Sequence, residues 1–369
     1  MSNHPDWLSA AALCALPLQT PSRVRALLRA GRPSEVLERI ASQTGGIEGI
    51  DDGLLKVWRR HTPADLDVLR DRYVAANVRV LTERDEMYPW PLRGDPAAPA
   101  VVFVRGSLEV LDCRRVAIIG TRRASNTGRH FARELGAALA EREVSVVSGL
   151  ARGVDGEAHR GALAIRDNPR KALGVVASGL DVVYPPEHAD LWNSVAHHGL
   201  LLSETPLSAR PEPHRFPMRN RILAALSEVV VVVESAATGG SMSTVREAER
   251  RGVTVMAVPG RPGIRTSEGT NALLRDGCAP VTNVDDVLVA LGLDTRKSRP
   301  RTDVRRAPVG SEQCVVTALS REPGTIDSLA TCTALSVVDV ALALGRLESV
   351  GWVAQSGAWW ELLPSAHGD

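Results

Sequence analysis

The chain has 369 residues, 44% of them hydrophobic and 24% charged, which is enough for two or three packed domains. Its formal net charge of +1 excludes a globally basic nucleic-acid binder, so any such role must rest on local patches. The five scattered cysteines lack metal-ligand spacing and predict free thiols in a reducing cytoplasm; no signal peptide is expected, and no apolar run approaches the ~20 residues of a membrane helix.

Residues 6–42 read as short helices. Leu8, Ala12, Leu13 and Leu16 recur at helical spacing, and Pro17 and Pro21 interrupt them. Val24, Leu27 and Leu28 begin a second helix that Gly31 ends, and Ser34 is placed to cap a third before Val36, Leu37 and Ile40. Residues 62–75 predict one more, with Thr62 as cap and Pro63 at its first position, closing a helical domain over 1–75. Residues 78–82 read as a strand, and 87–92 with 99–106 as an added layer beside the main sheet.

From 116 the pattern alternates. Near-continuous apolar runs at 116–119, 144–147, 173–177, 200–203, 229–233, 254–257 and 279–282 predict parallel strands buried on both faces. Helical patterns fall between them near 128–141, 155–166, 187–198, 217–226, 241–251 and 267–276. The expected class is α/β, a Rossmann-like, doubly wound, mainly parallel sheet over 76–294. Residues 295–310 read as a basic flexible linker, whose Arg296, Lys297, Arg299, Arg301, Arg305 and Arg306 either attract nucleic acid or are simply solvated. Residues 311–369 predict three helices and a hairpin turning at Ser356-Gly357, a winged helix. Its third helix, 336–350, sets Arg346 against Asp339 and Glu348, which is little with which to hold phosphate or read a base. A protein-contact or structural role is expected for it.

Four constellations carry the candidate chemistry. Gly120, Thr121 and Arg122, followed by Ser125 to Gly128, form a strand-to-helix turn able to offer free N–H groups and a guanidinium to a phosphate. The second contains Ser148, Gly149, Arg152 and Gly153, expected to face the same crevice. Asp155 is expected to cap the next helix, and its spacing to His159 suggests an acid/base pair, but no nucleophile elbow accompanies it. The third is Phe216, Arg219, Asn220 and Arg221. Its two arginines lie about 200° apart on a helix, so one is expected to bind ligand and the other a structural carboxylate. Gly239, Gly240 and Ser241 open a fourth turn, a second anion cradle. Lysine occurs only at 56, 171 and 297, so arginine supplies 41 of the 44 basic residues. That bias suits phosphate forks and follows equally well from genome composition. Aromatics make up only 4%, against a long stacking platform; core burial is the expectation for Tyr184, Trp192 and Phe216. No catalytic residue, metal or cofactor is expected.

The stretches Val-Ala-Ile-Ile-Gly-Thr-Arg (116–122), Ser-Gly-Leu-Ala-Arg-Gly-Val-Asp (148–155), Ala-His-Arg-Gly-Ala-Leu (158–163) and Phe-Pro-Met-Arg-Asn-Arg-Ile (216–222) resemble the signature of the DNA-processing protein A family, DprA/Smf. Ser-Gly-Leu-Asp (178–181), Tyr184-Pro185, Ser203-Glu204, Val258-Pro259-Gly260 and Glu-Gly-Thr-Asn (268–271) follow in the family's order, over about half the chain. The resemblance implies a SAM-like or helix-hairpin-helix module in front and a winged helix behind. It implies a cytoplasmic, non-enzymatic protein that binds single-stranded DNA without sequence preference, shields incoming strands and loads RecA recombinase in natural transformation or repair. It also implies a homodimer formed through the Rossmann-like domain, and a DNA site lined by the 216–222 segment. Many family members carry a basic residue after Tyr-Pro; here Pro186, Glu187 and His188 follow, so the charge must come from Arg122, Arg152, Arg219 or the linker. The alternative is a nucleotide-processing enzyme resembling the LOG-type phosphoribohydrolases. Residues 237–242 lack the proline and third glycine of their signature, and Gly120 belongs to no dinucleotide fingerprint.

Overall fold

The computed structural model describes residues 5–42, 45–63, 65–165, 171–293 and 305–363. It divides into two compact units, Met1–Thr295 and Arg296–Asp369.

The first unit opens with five helices: α1 (Asp6–Ala15), α2 (Pro21–Arg29), α3 (Pro33–Ser42), α4 (Asp52–His61) and α5 (Leu66–Ala75). The expected boundary at 75 does not separate two compact units, because α1 is apolar on two sides. Its Ala12 and Leu13 join Leu27, Val36, Ile40, Leu55 and Trp58 in a small helical core. Its Ala10, Ala11 and Cys14 instead join Tyr73, Phe103 and Leu201 in a core shared with the sheet. The sequence pattern misses α4 altogether. Asp51 caps this helix by accepting the N–H groups of Gly53 (2.8 Å) and Leu54 (3.1 Å). Thr62 ends α4, its hydroxyl donating to the Trp58 carbonyl at 3.1 Å, and Asp65 rather than Thr62 caps α5.

A nine-stranded sheet follows, comprising β1 (Arg79–Thr82), β2 (Val101–Gly106), β3 (Arg114–Ile119), β4 (Val144–Ser148), β5 (Ala172–Val176), β6 (Leu200–Ser203), β7 (Val229–Val232), β8 (Thr254–Ala257) and β9 (Ala279–Pro280). Between the strands run α6 (Asn126–Glu141), α7 (Val154–Ala164), α8 (Ala189–His198), α9 (Arg215–Ala225), α10 (Ser241–Glu249) and α11 (Glu268–Arg275), and α12 (Val284–Ala290) closes the unit. The strand order is β1-β2-β6-β5-β4-β3-β7-β8-β9. Strands β3 to β9 pair in parallel, while β1 and β2 add to β6 in antiparallel sense. The segment expected as a separate layer is thus an edge of the same sheet.

Side-chain alternation divides the core. Ala117, Ile119, Val230 and Val232 face α9, α10 and α11; Val116, Ile118, Val229 and Val231 face α6, α7 and α12. This is the doubly wound arrangement, and its order reverses between β3 and β7. Ligand crevices of open α/β sheets lie outside the carboxyl ends of the strands at such a point.

The second unit holds α13 (Ser311–Leu319), α14 (Ile326–Thr333), α15 (Val337–Ser349) and the hairpin β10 (Val353–Ser356) and β11 (Trp359–Leu362), packed on Val315, Leu329, Val340, Leu344 and Trp360. Of the expected linker cations, Arg305 lies over the Trp352 ring at 4.0 Å and Arg306 pairs with Glu312 at 2.7 Å, so both dock on this unit. Arg296, Lys297, Arg299 and Arg301 lie outside the described residues. Among the described residues no single helix is long and apolar enough to cross a membrane.

Candidate nucleic-acid interface

The crevice begins where β3 and β7 end side by side. The Thr121 N–H donates to the Glu234 carbonyl at 2.7 Å, and the Thr121 carbonyl accepts from the Val154 N–H at 3.4 Å. Gly120 fits between these strands because a Cβ there would lie 2.5 Å from Val154 Cγ2. Ser125 caps α6, its Oγ accepting the Gly128 N–H at 2.9 Å. The Glu234 carboxylate accepts both the Ser125 N–H (2.9 Å) and the Ser125 hydroxyl. The helix N-terminus read from sequence as a phosphate cradle is therefore filled by the chain's own anion. Arg122 and the adjacent Arg123, which the motif reading passed over, are exposed and form no ion pair among the described residues.

Ser148 does not face the crevice. It is fully buried, and its hydroxyl donates to the Ile118 carbonyl at 2.7 Å. Gly153 starts α7 with φ +73°, a conformation that favours glycine. Asp155 is buried and holds the loop in front of the helix, accepting N–H groups of Gly149 (3.1 Å) and Ala151, rather than capping α7. Burial raises its pKa; the Arg219 charge and these N–H groups oppose the rise. Arg152 is exposed but ion-paired with Glu187, the residue that stands near the position of the missing basic group. His188 is buried, its Nδ1 at 3.0 Å from the Leu150 carbonyl.

The 216–222 segment splits by side. Arg219 is 7% exposed; its guanidinium donates to the Val175 carbonyl and to Asn220 Oδ1 (3.2 Å). It presses on Gly149, where a Cβ would lie 2.0 Å from Nη1. Arg221 donates to the Ala97 carbonyl and the Glu204 carboxylate. Both arginines are internal struts, which corrects the expectation that one of them meets ligand. Asn220 reaches the Gly240 carbonyl at 3.5 Å. Phe216 is only half-buried. The Arg122 guanidinium lies 4.8 Å from its ring centre, and the Tyr184 ring packs 5.6 Å away on a tilt. Phe216 and Tyr184, expected in the core, thus sit at the crevice; Trp192 is buried at 1% exposure.

In the fourth turn Ser241 is buried, its hydroxyl donating to Ser235 Oγ at 2.8 Å, and Gly239 packs against that same Ser235 oxygen. Gly240 alone has open space where a side chain would be. His159 is fully buried on α7 with neither ring nitrogen hydrogen-bonded among the described residues, and burial holds its pKa down at about 4. Asp155 and His159 thus lie beneath the loop, closed to a substrate. What remains open is a cationic and aromatic strip, Arg123, Arg122, Phe216 and Tyr184, over the carboxyl ends of the central strands.

A family model described as DNA recombination-mediator protein A matches residues 79–292. A putative DNA processing protein DprA from Mycobacterium tuberculosis is 33% identical over 380 residues, covering 98% of this chain and 91% of that protein. The X-ray structure of DprA from Streptococcus pneumoniae superposes with a TM-score of 0.65 at 28% identity, covering 78% of this chain and 98% of its own. A structure from Helicobacter pylori, described as giving insight into the single-stranded DNA binding mode of DNA processing protein A, has a TM-score of 0.51 at 31% identity over 58% of this chain and 95% of its own.

Proposed function

The chain belongs to the DprA/Smf family of DNA recombination-mediator proteins, and on that premise we propose that it binds single-stranded DNA without sequence preference along the Arg123–Arg122–Phe216–Tyr184 strip. The observation that carries this is Arg122: exposed, free of ion pairs among the described residues, and stacked on Phe216 at the point where the strand order reverses. A guanidinium so placed meets phosphate while the neighbouring ring offers a face to a base. The single-strand binding described for the Helicobacter pylori protein supports the same ligand class here.

The protein then acts as a non-enzymatic mediator that shields the strand and loads RecA recombinase onto it, pairing with a second copy through the sheet unit. Family membership supports these roles. The nucleotide-hydrolase alternative is disfavoured by residues 237–242, which lack the proline and third glycine of its signature. Fluorescence anisotropy with a labelled single-stranded oligonucleotide and its duplex, at several salt concentrations, tests the reading. Tight single-strand binding that weakens steeply with salt, and a much weaker duplex, is the expected result. Equal or stronger duplex binding refutes it. RecA filament formation on single strands, with and without the protein, tests the loading step.

A further inference from the structure

The third helix of a winged-helix unit is the element that a duplex reader sends into the major groove. Here that helix, α15, shows solvent an apolar face. Val338 is 67% exposed and Leu342 55%. Ala341, Gly345 and Ser349, also exposed, complete a stripe with them. At 100° per residue the five positions fall within an arc of about 100°, the width of a helix-packing seam. The opposite side, Val340, Ala343, Leu344 and Leu347, fills the unit's own core, so the outer stripe is surplus to folding.

The flanks of the stripe show what fits it. Asp339 and Arg346 are exposed, lie on the same side of the stripe and have no ion-pair partner among the described residues. They stand seven residues apart, almost two full turns. In an antiparallel pair of α15 helices centred near Leu342, residues whose numbers add to about 683–685 come opposite each other. Val338 of one copy then enters the gap over Gly345 of the other, and Leu342 meets Ala341. The twofold axis also keeps each helix's charged flank on the same side, so Asp339 of each copy lies beside Arg346 of the other. Large against small in the seam, and opposite charges beside it, are the marks of a self-complementary interface. Duplex DNA fits poorly: between Arg305 and Leu362 the unit carries Arg305, Arg306, Arg321 and Arg346 against Glu312, Glu322, Asp327, Asp339, Glu348 and Glu361, and Arg306 is itself paired with Glu312.

We propose that α15 is a homotypic contact, an antiparallel helix pair joining the winged-helix units of two copies of this chain. One helix pair buries less than the roughly 1,200 Å² of a standard stable interface, so the contact is weak alone and gains strength between copies already held close. It is separate from the DNA strip and from pairing through the sheet unit.

Sedimentation equilibrium of the full chain, up to about 100 µM, tests this across the micromolar range. Leu342→Glu, a surface change, is expected to remove one association step and to leave single-strand affinity per chain unchanged. Asp339→Lys and Arg346→Glu are each expected to weaken that step at least tenfold, because each sets like charges side by side. The double variant Asp339→Lys/Arg346→Glu is expected to restore it, a rescue that a merely misfolded variant does not give. Association unchanged by Leu342→Glu, or charge swaps that do not rescue each other, overturns the proposal. Loss of DNA binding with association intact refutes the DNA reading and leaves this contact standing.

Discussion

The carboxyl carbon of Glu234 lies 2.5 Å from where a Cβ on Gly128 would be, so the glycine and the carboxylate share one space at the start of α6. The two are more than a hundred residues apart in the chain and meet only because β7 lies beside β3. Gly128→Ala and Glu234→Ala are each expected to lower stability by about 1–3 kcal/mol, the first by crowding and the second by leaving the Ser125 donors without their anion. Combined, they are expected to cost less than the sum, since the alanine methyl enters room that the carboxylate has vacated. Thermal unfolding of the four proteins measures the coupling; strict additivity counts against the shared space.

Arg122→Ala is expected to weaken single-strand binding on every sequence and to reduce the slope of log affinity against log salt by about one. Phe216→Ala removes the ring under that guanidinium and is expected to weaken binding with the slope little changed. Anisotropy titrations across salt separate the two. An unaltered slope in Arg122→Ala removes that residue from phosphate contact.

Glu187 neutralises Arg152 at the rim of the same crevice. Its hydrogen bond to Arg152 pulls the Glu187 pKa down to about 2, so the pair persists at neutral pH. Arg152→Ala leaves the Glu187 carboxylate unpaired at that rim and is therefore expected to weaken single-strand affinity several-fold. Glu187→Gln is expected to tighten it several-fold and to steepen the salt slope by about one, by releasing a phosphate-seeking guanidinium. The same titration, run on both variants, decides which residue governs the charge.

His159 sets an acid limit. Its folded pKa is about 4, against an ordinary value of 6.5, so the unfolded chain binds the extra proton between these values. Stability contributed by the neutral ring is complete above pH 6.5 and is lost as pH falls towards 4, by about 3 kcal/mol in all. Asp155, whose pKa burial raises, works in the opposite sense. The comparison is therefore between the wild type and His159→Leu, which lacks the titrating ring. Urea unfolding from pH 7 to pH 4.5 is expected to show the wild type losing ground to the variant as pH falls.

The parallel strands were legible because burial on both faces leaves continuous apolar runs, and all seven expected strands lie within a few residues of β3 to β9. The helix after Asp51-Asp52-Gly53 was not, since cap and turn use the same residues. The site was legible as a region and not as a set of contacts. Gly149 reads as a place for phosphate to approach, yet its missing side chain makes room for Arg219. Of Arg219 and Arg221, one reads as a ligand fork and the other as the partner of a structural carboxylate; Arg221 does meet a carboxylate, Glu204, but Arg219 meets the Val175 carbonyl of a distant strand. Local sequence shows which side chains are charged. Which of them stay free depends on long-range packing, and among the described candidate cations of this crevice that left Arg122 and Arg123.

The last strand has a consequence for how copies of this chain avoid one another. Strand β9 is two residues long; Val281, just past it, donates its N–H to the Ala257 carbonyl at 2.9 Å, so the backbone of Pro280 turns outward. Proline has no N–H to offer there. The sheet thus ends on a border without a donor, which a strand from a neighbouring molecule cannot extend, and runaway edge-to-edge aggregation is blocked on that side.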